Sequence, residues 1–280
     1  MKSKKYLIAL IPFIIIIFLF EIMPIVSIVI KSFSPRGELG FTLEHFIRIF
    51  TKDLYTQSII NSLWISIMSA LIGIVIAFLG AKAAHNSHSR LRGFFVNVLN
   101  ITSNFAGIPL AFAFIILLGN VGVLTLFGKQ FGIEFLANFD VYSINGLMLT
   151  YIYFQIPLAT LLLLPTFDGL KKEWKEAVTL LGGNSLVYWF KVAIPNMLPS
   201  LLGTLSVLFA NALTAYATGY ALLSSNAMLL PVRISEQFVG DVLPNQEFGS
   251  ALAVILMGLM IMATLLTNYL QKRSQGGIRS

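Results

Sequence analysis

Five stretches of this chain run without a single Asp, Glu, Lys or Arg: Leu54 to Ala81, Gly93 to Gly128, Val141 to Phe167, Val192 to Val232 and Phe248 to Gln271. Each exceeds the roughly 20 residues that a helix needs to cross about 30 Å of hydrocarbon at about 1.5 Å per residue. Tyr6 to Ile30 is a sixth, interrupted only by Glu21. In lipid no water bonds the backbone, so a span must satisfy its own N–H and C=O groups, as a helix does. The sequence therefore predicts an all-α polytopic membrane protein with six transmembrane helices, near Tyr6–Ile30, Ser58–Gly80, Phe94–Leu118, Asn145–Phe167, Met197–Leu222 and Phe248–Leu270. Only 11% of the residues are charged, against about 25% in a soluble domain. No long soluble insertion fits between the spans.

Met1 to Lys5 is basic and Tyr6 to Phe20 apolar, which is also how a signal peptide begins. No small-x-small cleavage site follows, and apolar character resumes through Ile22 to Ile30, so retention as a first span is expected. The chain has no cysteine, which excludes disulfides and thiolate metal sites. With the N-terminus inside, the inside segments hold 13 of the 19 lysines and arginines. That bias obeys the positive-inside rule and puts both termini in the cytoplasm. The +7 net charge is thus a matter of membrane orientation, and no nucleic-acid partner is expected. Glu21 lies nearer the outer end of the first span, where it would pair inside the bundle or reach up toward the headgroups.

Catalytic patterns are missing. There is no Gly-x-x-x-x-Gly-Lys-Ser/Thr loop to cradle nucleotide phosphates, and no histidine pair at metal-ligand spacing within a span. His85 and His88 share a short cytoplasmic loop with Arg90, where solvated side chains are the expectation. No catalytic residue, metal site or cofactor is expected, and the chain reads as a non-enzyme.

The loop between the fourth and fifth spans has the most pattern. Trp174, Ala177 or Val178, and Leu181 recur at helical spacing, with Lys171, Lys172, Lys175 and Glu176 toward another face. Gly182-Gly183 breaks that helix, and Asn184 or Ser185 can cap a second short one that stops before Pro195. Two short helices joined by a sharp turn result. They could lie on lipid as an interfacial pair or grip a partner. The spacing Glu-Ala-x, Gly, branched apolar, x, apolar, Pro is carried by Glu176, Ala177, Val178, Gly182, Val192, Ile194 and Pro195. It resembles the EAA loop in the membrane subunits of type I ABC importers, with Val178 where that family most often has a second Ala. The resemblance covers about Gln57 to Leu270.

What the resemblance implies is a MetI-like architecture. Residues 1–56 would form an N-terminal helix and external loop, 57–270 a five-helix permease core with its coupling loop at about 169–196, and 271–280 a cytoplasmic tail. It further implies that the loop docks on two cytoplasmic ABC ATPase subunits, that a second permease subunit (homologous or identical) completes the pathway, and that an extracytoplasmic substrate-binding protein meets Lys31 to Gln57 or Ser224 to Glu247. Polar residues inside spans are costly and usually face a wet cavity or another helix. Those in the third, fourth and fifth spans, the pathway-lining spans of the family, include Asn100, Asn104, Tyr151, Gln155, Asn211, Thr214 and Tyr216. Either a translocation pathway or hydrogen bonding between helices accounts for each of them. Pro109 and Pro157 are expected to kink their spans.

The expectation is an importer permease for a small polar solute, with the polyamine, phosphonate or iron type favoured by resemblance and a sugar or small oxyanion as the alternative. An ion-coupled secondary transporter would need carboxylates within its spans, and only Glu21 is there.

Overall fold

The computed structural model describes residues 2–37, 40–223, 228–239 and 244–278, with side chains over 10–273 of these ranges. Among the described residues there is no strand. The helices are α1 (Lys2–Ile17), α2 (Met23–Ser32), α3 (Glu44–Thr51), α4 (Asp53–His85), α5 (Ser89–Ser103), α6 (Ile108–Leu118), α7 (Val123–Phe131), α8 (Glu134–Ala137), α9 (Ile144–Asp168), α10 (Lys172–Leu180), α11 (Ser185–Tyr188), α12 (Ile194–Leu213), α13 (Tyr216–Leu223), α14 (Leu230–Val239) and α15 (Gln246–Ile278). Single π turns join α1 to α2 (Phe18–Ile22) and α11 to α12 (Trp189–Ala193). Six helical segments are long and apolar enough to cross a membrane: Leu10–Ser32, Asp53–His85, Ile108–Phe131, Ile144–Asp168, Ser185–Leu213 and Gln246–Arg273.

The chain divides into two compact units, residues 1–59 with 228–259, and residues 60–227 with 260–280. In the first, Ile49, Tyr55, Leu230, Phe248, Ala251 and Leu252 form a buried cluster. Arg48 lies over the Phe248 ring at 4.7 Å and Tyr55 meets the same ring edge-on, so the amphipathic helix α3 is fixed by one face while Ile47 and Phe50 stay exposed. Glu21 sits on the exposed π turn of the first span, rather than inside a bundle. Asp241, among the external-loop residues considered for the binding protein, lies outside the described residues.

The second unit is organised around α9. Its Ala159, Leu163, Leu164 and Phe167 meet Ala70, Ala77, Ala81 and Ala84 of α4 and Met197 and Leu208 of α12 in one core. Residues without bulky side chains recur along that face of α4 (Ser62, Ser66, Ser69, Gly73, Ala77, Gly80, Ala81), and they let the backbones approach closely. A Cβ at Gly73 would stand 3.1 Å from Cβ of Gln155. The sequence displays this stripe of small residues directly, at helical spacing.

Two spans depart from expectation. The predicted helix Phe94–Leu118 is broken between Ser103 and Ile108, and Met197–Leu222 is broken at Thr214–Ala215. At the first break Thr102, Ser103 and Asn104 bond back to carbonyls of their own helix (Asn104 Nδ2 to Asn100 O, 2.8 Å), which competes with continuation of the helix. Gly107 then takes φ +74° and Pro109 stands in the first turn of α6, so this proline starts a helix instead of kinking one. At the second break Thr214 Oγ1 bonds back to Ala210 O at 2.8 Å. Pro157 lies buried inside α9.

Candidate functional site

The first candidate region is where the two breaks meet. Helices α6 and α13 pack on each other, and Thr218 Oγ1 of α13 donates to Gly107 O at 3.3 Å. A Cβ on Gly107 would touch Ala217. From α9, the Tyr151 hydroxyl donates to Ala215 O in the other break. An unbonded backbone carbonyl within a membrane costs several kcal/mol; the Tyr151 hydroxyl serves the Ala215 carbonyl, while the Gly107 carbonyl also accepts from Ala111 N–H at 3.1 Å. Tyr151 is therefore fully buried, and so is Gln155, whose Nε2 donates to Ser69 Oγ at 3.1 Å while its Oε1 stays without a partner. Asn100, Asn104 and Thr214 are exposed; Asn211 and Tyr216 are half-buried. The Tyr216 ring stacks on Tyr220 at 5.4 Å. The seven polar residues singled out in the spans thus separate into two that stitch helices together in this conformation and five that keep accessible surface.

The second region is the loop after α9. It follows the expected plan closely. Helix α10 ends in a left-handed turn: Gly182 has φ +77°, Gly183 N–H donates to Val178 O at 2.8 Å, and Gly182 N–H to Thr179 O at 3.0 Å. This is the Schellman pair of bonds, and it needs a residue that enters the left-handed region at low cost. Gly183 is needed for a different reason, since a Cβ there would lie 2.6 Å from Val178 Cγ1 and 3.0 Å from its carbonyl oxygen. Asn184 Oδ1 accepts from Val187 N–H at 3.0 Å and starts α11, as its residue type suggested. Glu176, Ala177 and Gly182 are exposed; Val178, Val192, Ile194 and Pro195 are half-buried. At the tip, Leu180 and Leu181 are each 88% exposed. Two bare leucines on a turn this well fixed form an apolar knob without a cover of its own.

The loop is tied to the helix bundle by residues the sequence reading did not assign. Trp189 packs on Phe78 of α4 and Phe167 of α9, with Lys82 Nζ 4.3 Å from its ring. Asp168, the last residue of α9, accepts from Arg92 of α5 at 2.6 Å and pairs with His85 Nδ1 of α4 at 3.0 Å. His85 is thus engaged, in contrast to the solvated loop residue expected from sequence. The only hint was that Asp168 is an acid directly ending an uncharged run. These contacts make the turn, α4, α5 and α9 one mechanical piece. Among the described residues no group of His, Asp and Glu could hold a metal ion.

Comparison with known proteins bears on the family and the fold. The profile of the family described as binding-protein-dependent transport system inner membrane component matches residues 69–276. The spermidine/putrescine transport system permease protein PotB of Haemophilus influenzae is 27% identical over 268 residues, covering 91% of each chain. A probable sulfate transport system permease protein, cysT, of Helicosporidium is 22% identical over 236 residues, covering 84% of this chain and 83% of its own. Among solved structures, a bacterial ABC transporter involved in import of the acidic polysaccharide alginate superposes with a TM-score of 0.81 at 15% identity, covering 97% of this chain and 96% of that one, and so shares its fold. With three quarters of its length inside the family profile and six segments fit to span a bilayer, this chain belongs to the binding-protein-dependent transport-system inner-membrane components and is a multi-pass permease of the ABC-importer type.

Proposed function

We propose that this permease transmits ATP-driven movement from cytoplasmic ATPase subunits through the Lys172–Ala193 loop to a pathway beside the two helix breaks. The observation that carries this reading is the apolar knob of Leu180 and Leu181, held on a glycine turn and tied through Trp189 to α4 and α9. A connector would not need bare leucines or a rigid mounting; a ball for a partner's socket needs both. Ala177 leaves room for close approach and Glu176 offers a carboxylate to partner N–H groups. Val178 forms the underside of the turn against Gly183, and Val192, Ile194 and Pro195 lead rotation of the loop into α12. In this reading both termini are cytoplasmic, two ATPase subunits hydrolyse ATP, and a second permease subunit and an external binding protein complete the transporter. Closure of the ATPases would turn the clamped helices as rigid bodies.

The solute passes Asn100, Asn104, Asn211, Thr214 and Tyr216, whose amides, hydroxyl and phenol are uncharged. Behind them Tyr151 bonds the Ala215 break and Gln155 ties α9 to α4. A small polar solute fits this lining. A polyamine type is favoured by the likeness to a spermidine/putrescine permease, with small oxyanions second because a sulfate permease is nearly as similar. The test is to make Glu176→Lys and Gly182→Asp in the assembled transporter. Both variants should insert normally yet lose solute-dependent ATPase stimulation and transport. Normal transport with normal ATPase association in both would refute the coupling role.

A further inference from the structure

We propose that the loop end of the bundle holds one anionic glycerophospholipid, its headgroup in a basic cleft under the loop and an acyl chain in the groove between α4 and α12. This goes beyond the transport reading, and its cleft shares Glu176 and Leu180 with the surface assigned above to the ATPase. The cleft has a volume of about 920 Å³ and is lined by Lys82, Lys171, Lys172 and Lys175, with Glu176 as its one carboxylate and Phe167 and Trp189 in its wall. It lies where the segments Asp53–His85 and Ile144–Asp168 end, so at the boundary of the hydrocarbon, where a lipid phosphate sits. Its lysines are of one sign and close together, and the arrangement gains energy when an anion neutralises them.

A second observation points to lipid rather than to a free anion. A groove of about 320 Å³ lies farther along the same two helices, lined entirely by apolar side chains, among them Ile74, Val75 and Leu79 of α4 and Leu201 and Leu205 of α12. Phe78 lines the groove, and its ring packs on Phe167 and Trp189 of the cleft wall, so the two spaces are neighbours along α4. Lys82 stands about 12 Å beyond Ile74 at the rise of an α-helix. A charged end followed by an apolar trough matches an anionic headgroup followed by the first part of an acyl chain. A soluble anion has no use for the trough, and a second permease subunit seated in it would leave the basic cleft without its anion.

The assembled transporter, stripped of lipid by detergent exchange, can be titrated with phosphatidylglycerol, phosphatidylcholine or inorganic phosphate and read by native mass spectrometry. Phosphatidylglycerol adducts on this subunit should appear at a concentration at least about fivefold lower than phosphatidylcholine adducts, the factor that about 1 kcal/mol from a single lysine near an anionic headgroup gives. Millimolar phosphate should not displace them. Lys82→Ala should lower phosphatidylglycerol binding several-fold and Lys82→Arg should restore it, whereas Leu205→Trp, which fills the trough, should lower binding of both lipids. Should Lys82→Ala disturb assembly, Lys172→Ala on the exposed face of α10 gives the same reading. Equal binding of the two lipids, displacement by phosphate alone, or indifference to both Lys82→Ala and Leu205→Trp would each overturn the proposal.

Discussion

The helix breaks and the loop tip treat exposed chain in opposite ways. At the breaks, Tyr151 and Thr218 bond the carbonyls of Ala215 and Gly107, and the polar side chains of Thr102, Ser103, Asn104 and Thr214 bond back to their own helices. The irregular backbone is completed from within the subunit. At the tip, Leu180 and Leu181 are left bare on a turn that is itself fully bonded. The first region is finished as it stands; the second is finished only when something covers it. A transporter subunit needs both conditions, a stable irregularity where a solute passes and an incomplete surface where a motor attaches.

The sharpest way to break this contrast is to charge the tip. Leu180→Asp with Leu181→Asp removes apolar surface that this subunit does not use for its own folding. Folding in detergent should stay unchanged, while ATPase association and transport fall at least about tenfold, the scale of losing one or two well-buried side chains at an interface. Unchanged association would show that the bare leucines serve another purpose. Tyr151→Phe attacks the other side of the comparison. It removes the side-chain bond to the carbonyl of half-buried Ala215 and should cost about 1–3 kcal/mol in reversible unfolding. If the variant instead altered solute selectivity at full stability, Tyr151 would belong to the pathway and the stitching account would fail. The smallest effect is expected at Gln155→Leu. It gives up the bond to Ser69 but also removes an unpartnered Oε1, so a loss of about 0.6 kcal/mol or less should be seen by the same unfolding measurement.

Much of this was legible before any coordinates. Uncharged length alone gives six spans, because a bilayer sets one physical threshold. The loop was legible down to its capping residue, since Gly182, Gly183 and Asn184 act through local backbone geometry that the sequence displays directly. The breaks were harder to read. The runs Gly93–Gly128 and Val192–Val232 exceed one span, and hydropathy does not say where a helix inside such a run stops. Asn104 and Pro109 mark the first break, yet as residue types they suggest pathway polarity and a kink equally well, and Gly107 shows its role only through its φ of +74°. The division of Tyr151 and Gln155 from Asn100, Asn104, Asn211, Thr214 and Tyr216 depends on which face of each helix meets its neighbour. So do the clamp of Asp168 with Arg92 and the seating of Lys82 over Trp189, contacts between residues 76 and 107 positions apart that no local pattern encodes.

The absence of cysteine allows a direct test of the central claim, that the Leu180–Leu181 knob is covered by an ATPase subunit. A single Leu181→Cys in the assembled transporter can be treated with a short thiol-to-amine cross-linker and compared with Ile116→Cys, a similarly exposed position on α6. The account predicts a strong cross-link from position 181 to the ATPase subunit and none from 116. Cross-linking at 181 no stronger than at 116, in a transporter that still moves solute, would contradict it.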